Sequence, residues 1–258
     1  MKLKDGLNIC TNLEYHSDNE YISSSGLKLL LDNEDAFYRK YILKEKSEGT
    51  SFFDFGTLVH AMILEPETVK HDFFFSNCKS RYGKTFEIHQ NIAKEQGKIF
   101  ILEKEREQAA QMVESFSKCV HSKAIMKEGV AEQTYCYTGK LFKSKVRSDF
   151  LGPDFIMDVK TTSAPLTEDS LRSVIKKYKY HMSAALYLDV TNKFLDGALK
   201  NFYWIFLNKL TYEVQVVKMS EEMLFEGREL VTKAVKKYHR LKDEGFFETD
   251  KQRKILEL

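Results

Sequence analysis

Apolar positions recur along this chain with two different periods. After Ser23-Ser24-Ser25, the residues Leu27, Leu29, Leu30, Leu31, Phe37 and Tyr41 mark a capped helix. It breaks near Asp32-Asn33 and a second helix follows. Phe52-Phe53-Asp54-Phe55-Gly56 leads into a helix from Thr57 to Leu64, closed by Pro66. Ala109, Met112, Val113, Phe116 and Val120 fall at helical spacing in an amphipathic segment from Glu103 to Lys123. Leu171, Val174, Ile175, Tyr178, Met182, Ala185 and Leu186 do the same over Glu168 to Val190. A last helix starts at Ser220 and runs to about Leu241, with Glu221 and Glu222 suiting the dipole of its first turn. Between these segments the pattern changes to strands. Residues 131–137, 141–150 and 155–161 predict an antiparallel meander, with turns at Thr138-Gly139 and Leu151-Gly152-Pro153-Asp154. Phe202 to Leu207 reads as a buried strand, and Tyr212, Val214 and Val216 alternate in the next.

Residues 1–20 are polar and are expected to form a loosely held arm. Residues 44–50 read as a charged loop, and residues 76–98 as a long surface loop or an irregular helix. The element order is helices, a three-strand meander, a helix, two strands and a helix. It predicts an α/β fold, a mixed central sheet flanked by helices, as one domain over residues 21–258.

Composition narrows the class. Hydrophobic residues make up 43% of the 258, including 19 Phe, enough for a sizeable core. No apolar run is long enough to span a membrane, and Met1-Lys2-Leu3-Lys4-Asp5-Gly6 lacks the apolar segment of a signal peptide. Cys10, Cys78, Cys119 and Cys136 form no CxxC pair, which points to free thiols in a reduced, cytoplasmic protein and away from an iron–sulfur cluster. A net charge of +2 does not mark a general nucleic-acid binder. The basic residues are nevertheless clustered: Lys140-Lys143-Lys145-Arg147, Arg172-Lys176-Lys177-Lys179 and Lys233-Lys236-Lys237-Arg240.

The candidate chemistry lies between Arg147 and Thr162. Phe155 to Lys160 is apolar except for Asp158 and Lys160, which share a strand face roughly 6–7 Å apart. Two charges on an otherwise buried strand are costly unless paired or bound to a metal. At period two, Lys143, Lys145, Arg147 and Asp149 share a face of the preceding strand, and the turn at 151–154 would bring Asp149 beside Asp158. Adjacent carboxylates repel unless a cation sits between them. Mg²⁺, a hard ion that prefers oxygen ligands, is the expected one. Lys143, Lys145 and Arg147 would then guide backbone phosphates without reading sequence. The plainer alternative is a strand-surface ion pair of Asp158 with Lys160, and motif matches stay open until their structural context is known.

With these residues in place, the chain resembles the nuclease domain of exonuclease VIII (RecE-type). That domain belongs to the PD-(D/E)xK, or restriction-endonuclease-like, superfamily, with the RecB nuclease domain and lambda exonuclease. The resemblance runs from about Tyr21 to Tyr238 and rests on several stretches in order. They are Ile22-Ser23-Ser24-Ser25-Gly26-Leu27, Phe55-Gly56-Thr57-Leu58-Val59-His60, Leu64-Glu65-Pro66-Glu67, Arg147-Ser148-Asp149, Ile156-Met157-Asp158-Val159-Lys160-Thr161-Thr162, and Tyr180-His181 with Tyr187. It implies that Asp149, Asp158 and His60 are metal ligands and that Lys160 holds the attacking water and steadies phosphate charge. Glu65 and Glu132 match recurrent acids, the latter beyond the first ligands. Thr161 and Thr162 join Lys143, Lys145 and Arg147 as candidate DNA contacts. His181 and Tyr187 fit the later motif, against a plainer role in helix packing. The chain departs from the pattern twice. Ser148 replaces a proline, and Ser183 stands where the RecB-like motif has glutamine, which bears on substrate handling.

The resemblance further implies a Mg²⁺-dependent 5′→3′ exonuclease on double-stranded DNA ends, with Mn²⁺ substituting. It would leave 3′ single strands for phage-type recombination. It implies a ring-shaped homo-oligomer, trimer or tetramer, and a RecT-like annealing protein as partner. Two alternatives stand beside this: an endonuclease or single-strand-preferring nuclease of the same fold, and a catalytically weak DNA-binding or assembly module.

Overall fold

The computed structural model describes residues 2–45, 51–140 and 142–248. Part of the expected charged loop, residues 46–50, lies outside the described residues. The chain begins with β1 (Gly6–Asn8), α1 (Asn12–Ser17), α2 (Ser24–Asp32) and α3 (Glu34–Phe37), which continues as a π-turn over Tyr38–Ile42. Then come α4 (Ser51–Leu64), α5 (Val69–Asp72), β2 (Phe73–Ser76), α6 (Lys84–Glu95), β3 (Ile99–Leu102), α7 (Glu103–Lys118) and α8 (Val120–Ile125). The meander is β4 (Val130–Thr138), β5 (Lys143–Leu151) and β6 (Phe155–Thr162). It is followed by α9 (Glu168–Lys177), α10 (Tyr180–Thr191), β7 (Asn201–Asn208), β8 (Val214–Lys218) and α11 (Glu221–Asp243).

The main sheet has the order β1-β4-β5-β6-β7-β8, with β6 and β7 parallel and the other neighbours antiparallel. The mixed α/β architecture expected from the sequence is therefore present. On one face, Met157 and Val159 of β6 and Ile205 and Leu207 of β7 pack against Leu58 and Val59 of α4 and Met112 and Phe116 of α7. On the other, Ile156, Phe202, Trp204 and Phe206 meet Leu171 and Ile175 of α9 and Ala184 and Leu188 of α10. Alternate residues of β6 and β7 thus enter opposite cores, as period-two side chains on a doubly covered sheet must. α2, α10 and α11 close the second face through Leu27, Leu30, Met182, Leu186 and Ala234. Gly227 of α11 permits this contact: a Cβ there would lie 2.3 Å from the carbonyl oxygen of His181.

Several expectations are corrected. Residues 2–20 are not a loose arm: β1 pairs with β4, and Leu3, Tyr15 and Tyr21 are buried against Cys136. Alternating polar residues hid them, because one face of an edge strand is solvated. The segment 103–123 divides at Cys119 into α7 and α8, leaving Val120 75% exposed rather than in the core stripe. The segment 168–190 divides at Tyr178-Lys179, where Lys179 takes a left-handed φ of 50°. Residues 73–102 hold an unexpected two-stranded parallel sheet of β2 and β3, with α6 between its strands. No described helix is long and apolar enough to cross a membrane.

Candidate active site

The site forms where two regularities of the sheet fail together. β5 and β6 pair only at Phe150↔Met157 and Leu151↔Ile156, and beyond that the strands diverge. Across β4 and β5, the pairs Ala131↔Phe150 and Gln133↔Ser148 flank Glu132 and Asp149, which are not themselves paired. Glu132 has a φ of 55°, a left-handed conformation that disfavours side chains and clusters at functional positions. The alternation of β5 slips here: Val146 packs into the α2–α10 core, while Phe150, of the same parity, packs into the α4–α7 core. Asp149 consequently sits in the fork, where one carboxylate oxygen accepts the Val159 N–H at 2.7 Å.

α4 places His60 over this fork. Its Nε2 lies 2.7 Å from the Asp149 carboxylate and its Nδ1 lies 3.3 Å from that of Glu132. Potential ligand atoms of His60, Glu132 and Asp149 all lie within 4.8 Å of one another. One imidazole and two carboxylates on converging elements suit a divalent ion. Burial by itself would push the His60 imidazolium down, but the Asp149 charge and hydrogen bond and the Glu132 charge raise it to about 9. A proton on His60 thus provides the positive charge that the two acids require. Burial would likewise push the Asp149 carboxyl up, yet His60 and Lys160 hold it down to about 2. Glu132 is raised by burial and by the Asp149 charge beside it.

Asp158 and Lys160 form the second half of the site. Lys160 Nζ lies 2.6 Å from the Asp158 carboxylate and 5.3 Å from the centroid of the Tyr180 ring. Burial, reinforced by the Asp149 charge and opposed by Lys160, raises the Asp158 carboxyl to about 6. Burial works against the Lys160 ammonium, but Asp158 and Asp149 outweigh it and hold its pKa above the ordinary value. Tyr187 is raised by burial and by the charges of Asp158 and Asp149. It therefore faces the acids from α10.

The other residues singled out from the sequence divide clearly. Arg147 is 9% exposed, pairs with Glu132 through Nε, and donates to the Cys10 carbonyl at 2.8 Å. Its Nη2 lies 3.9 Å from Glu65, which is thereby tied to the site's rim. Lys145 is 3% exposed and donates to the carbonyls of Tyr15 and Asp18. Lys143 pairs with Glu20. Lys145 and Arg147, expected to guide DNA, are spent inside the fold on Cys10, Tyr15 and Asp18, while Lys143 stays at the surface. Thr162 Oγ1 accepts the Ala164 N–H at 3.0 Å, and Thr161 lies beside Gly56 of α4. His181 is buried between α10 and α11, with no partner for Nδ1 among the described residues, and burial lowers its pKa. Ser183, half-buried on α10, gives its backbone N–H to Lys179. Sequence reasoning passed over Lys28, whose ammonium lies 5.4 Å from the Tyr180 centroid. The signal was a lone lysine inside the apolar run Leu27–Leu31.

A family profile described as a PDDEXK-like domain of unknown function (DUF3799) matches residues 23–249. No curated protein matches the chain. A solved structure described as a "putative exonuclease" from Eubacterium rectale is 15% identical, with a TM-score of 0.67 over 97% of this chain and 97% of that chain. A phage-related exonuclease from Haemophilus somnus 129PT is 12% identical, with a TM-score of 0.38 over 87% of this chain and 96% of that chain. The first of these shares the fold.

Proposed function

The chain belongs to the PDDEXK-like domain family DUF3799, and from that premise we propose that it is a divalent-metal-dependent deoxyribonuclease. The observation that carries this is the convergence of His60, Glu132 and Asp149 within 4.8 Å, beside the Asp158–Lys160 pair. His60, Glu132 and Asp149 would hold the ion, with Asp158 as the further carboxylate. When bound, a divalent ion lowers the pKa of a coordinated water and neutralises phosphate charge. Val159 fixes the Asp149 carboxylate through its N–H, and Arg147 fixes Glu132. Asp158 keeps Lys160 charged, so that Lys160 can steady the attacking water and the charge on the phosphate as it grows.

At finer grain, the proposed activity is 5′→3′ digestion of duplex ends, RecE-like in kind, leaving a 3′ strand for an annealing protein of RecT type. The proposed assembly is a ring of three or four copies. A ring would hold the duplex topologically, which suits a chain with little net charge whose Lys145 and Arg147 are committed internally. Incubation of 5′- and 3′-labelled linear duplex and of closed circular DNA, with Mg²⁺, Mn²⁺ or EDTA, tests these points. Metal-dependent loss of linear duplex, with the circle spared and the 5′ label released first, is the expected result. Cutting of the circle would make it an endonuclease. Absence of degradation with both metals would remove the nuclease assignment. A monomer by light scattering at micromolar concentration would remove the ring.

A further inference from the structure

Lys28 is a charged group at this site without a task in the scheme above. It lies on α2, one turn after Ser24, and its ammonium and that of Lys160 flank one ring: they lie 5.4 and 5.3 Å from the Tyr180 centroid. A π face attracts a cation, but two cations on one ring repel each other. Lys160 is compensated by Asp158 at 2.6 Å. Lys28 makes no ion pair among the described residues. The acid one turn further along its helix, Asp32, is occupied by Lys179 at 2.7 and 2.9 Å. Burial, together with the Lys160 charge, pushes the Lys28 ammonium down to about 7, against the opposing charges of Asp158 and Asp32.

A half-buried ammonium with no ion-pair partner among the described residues carries a free-energy cost, and perturbed groups of this kind concentrate at functional sites. The ligand must be anionic and lie close to Asp158, Lys160 and Tyr180. Resting on the nuclease assignment, we propose that Lys28 and Tyr180 form a phosphate subsite beside the His60–Glu132–Asp149 cluster, in which Lys28 donates to a non-bridging phosphate oxygen of the substrate strand. Both ammonium groups rest on the Tyr180 ring, Lys160 serving the reacting phosphate while Lys28 anchors the strand. Lys28 is then a binding residue, and its loss is read in KM rather than in kcat.

Steady-state degradation of a labelled duplex by the full chain, with Mg²⁺ at several salt concentrations, tests this. Lys28→Met keeps the methylene stem and removes the charge. It should raise KM about tenfold, the size expected for one hydrogen bond to a charged group, with kcat changed much less. The slope of log(kcat/KM) against log salt should become shallower by about 0.9, the amount for one phosphate contact. Lys28→Arg should restore both. The thermal midpoint of Lys28→Met should hold or rise, because repulsion with Lys160 is relieved. Wild-type KM and slope in Lys28→Met overturn the subsite alone. A lowered midpoint with an unchanged slope assigns Lys28 to packing and also overturns it. An inactive wild-type protein removes the nuclease assignment, and the subsite falls with it.

Discussion

Replacing Arg147 by methionine separates a structural role from DNA contact. In the folded chain the guanidinium is 9% exposed. It pairs with Glu132, whose side chain is 11% exposed, and donates to the Cys10 carbonyl at 2.8 Å. Methionine fills a similar volume but leaves a largely buried carboxylate and the half-buried Cys10 carbonyl without their donor. Removal of one partner from a buried ion pair costs about 3–5 kcal/mol, and an orphaned carbonyl about 1 kcal/mol or more. His60 still faces Glu132 at 3.3 Å and offsets part of this, so about 3 kcal/mol is the expected net. For a chain of this size that lowers the thermal midpoint by roughly 6–12 °C. The melt is measured in EDTA, so that bound metal does not contribute. The double variant Glu132→Gln with Arg147→Met removes both charges and should recover most of the loss, a coupling that a double-mutant cycle reads directly. In EDTA, the duplex affinity of folded Arg147→Met, and its salt dependence, should stay at wild type. A midpoint within about 2 °C of wild type, accompanied by weaker duplex binding, would refute the internal role and restore Arg147 to the DNA surface.

Three further outcomes follow from the same geometry. Asp149→Asn, Asp158→Asn and Lys160→Ala should each lower metal-dependent DNA degradation about 100-fold or more while circular dichroism stays native; full activity in any purified, folded variant removes that residue from the site. His60 binds its proton more tightly folded than unfolded, so in EDTA its contribution to stability is complete below its ordinary 6.5 and is lost as pH rises through about 9. Urea midpoints at pH 6 and pH 9.5 should therefore differ more in wild type than in His60→Gln, and equal differences would count against the His60–Asp149 pairing. Gly227→Ala would set a Cβ 2.3 Å from the His181 carbonyl oxygen, forcing α10 and α11 apart at about 1–3 kcal/mol; a neutral change in urea midpoint would contradict that contact.

Much of the framework was legible because it depends on neighbours in sequence. Ser23 and Ser220 cap α2 and α11 as their positions suggested. The three strands of the meander fall within a few residues of their expected ends. The isolation of Asp158 and Lys160 in an apolar strand marked the candidate site in the sequence. The helix breaks at Cys119 and Tyr178-Lys179 were not legible, because the apolar spacing continues through both. The small parallel sheet of β2 and β3 also escaped, because its strands are four residues each and separated by a helix.

The site itself was decided at longer range. Period two placed Lys143, Lys145, Arg147 and Asp149 on one strand face, and that pattern carries no information about what covers it. Tyr15, Asp18 and Cys10 cover Lys145 and Arg147, more than a hundred residues away in sequence, and turn these two expected DNA guides into internal pairing. Glu132 moved from an outlying acid to a cluster member because its left-handed backbone and the slip in β5 set it opposite Asp149. Lys28 drew no notice in a leucine-rich helix until α2 brought it to Tyr180. Sequence alone determined which residues prefer strand, helix or cap and where charge interrupts a buried run, since these follow from local sterics and desolvation. Which charges compensate one another was left to the tertiary fold, because Coulomb energy and burial depend on distance in space, and distance in space is set only when remote elements pack.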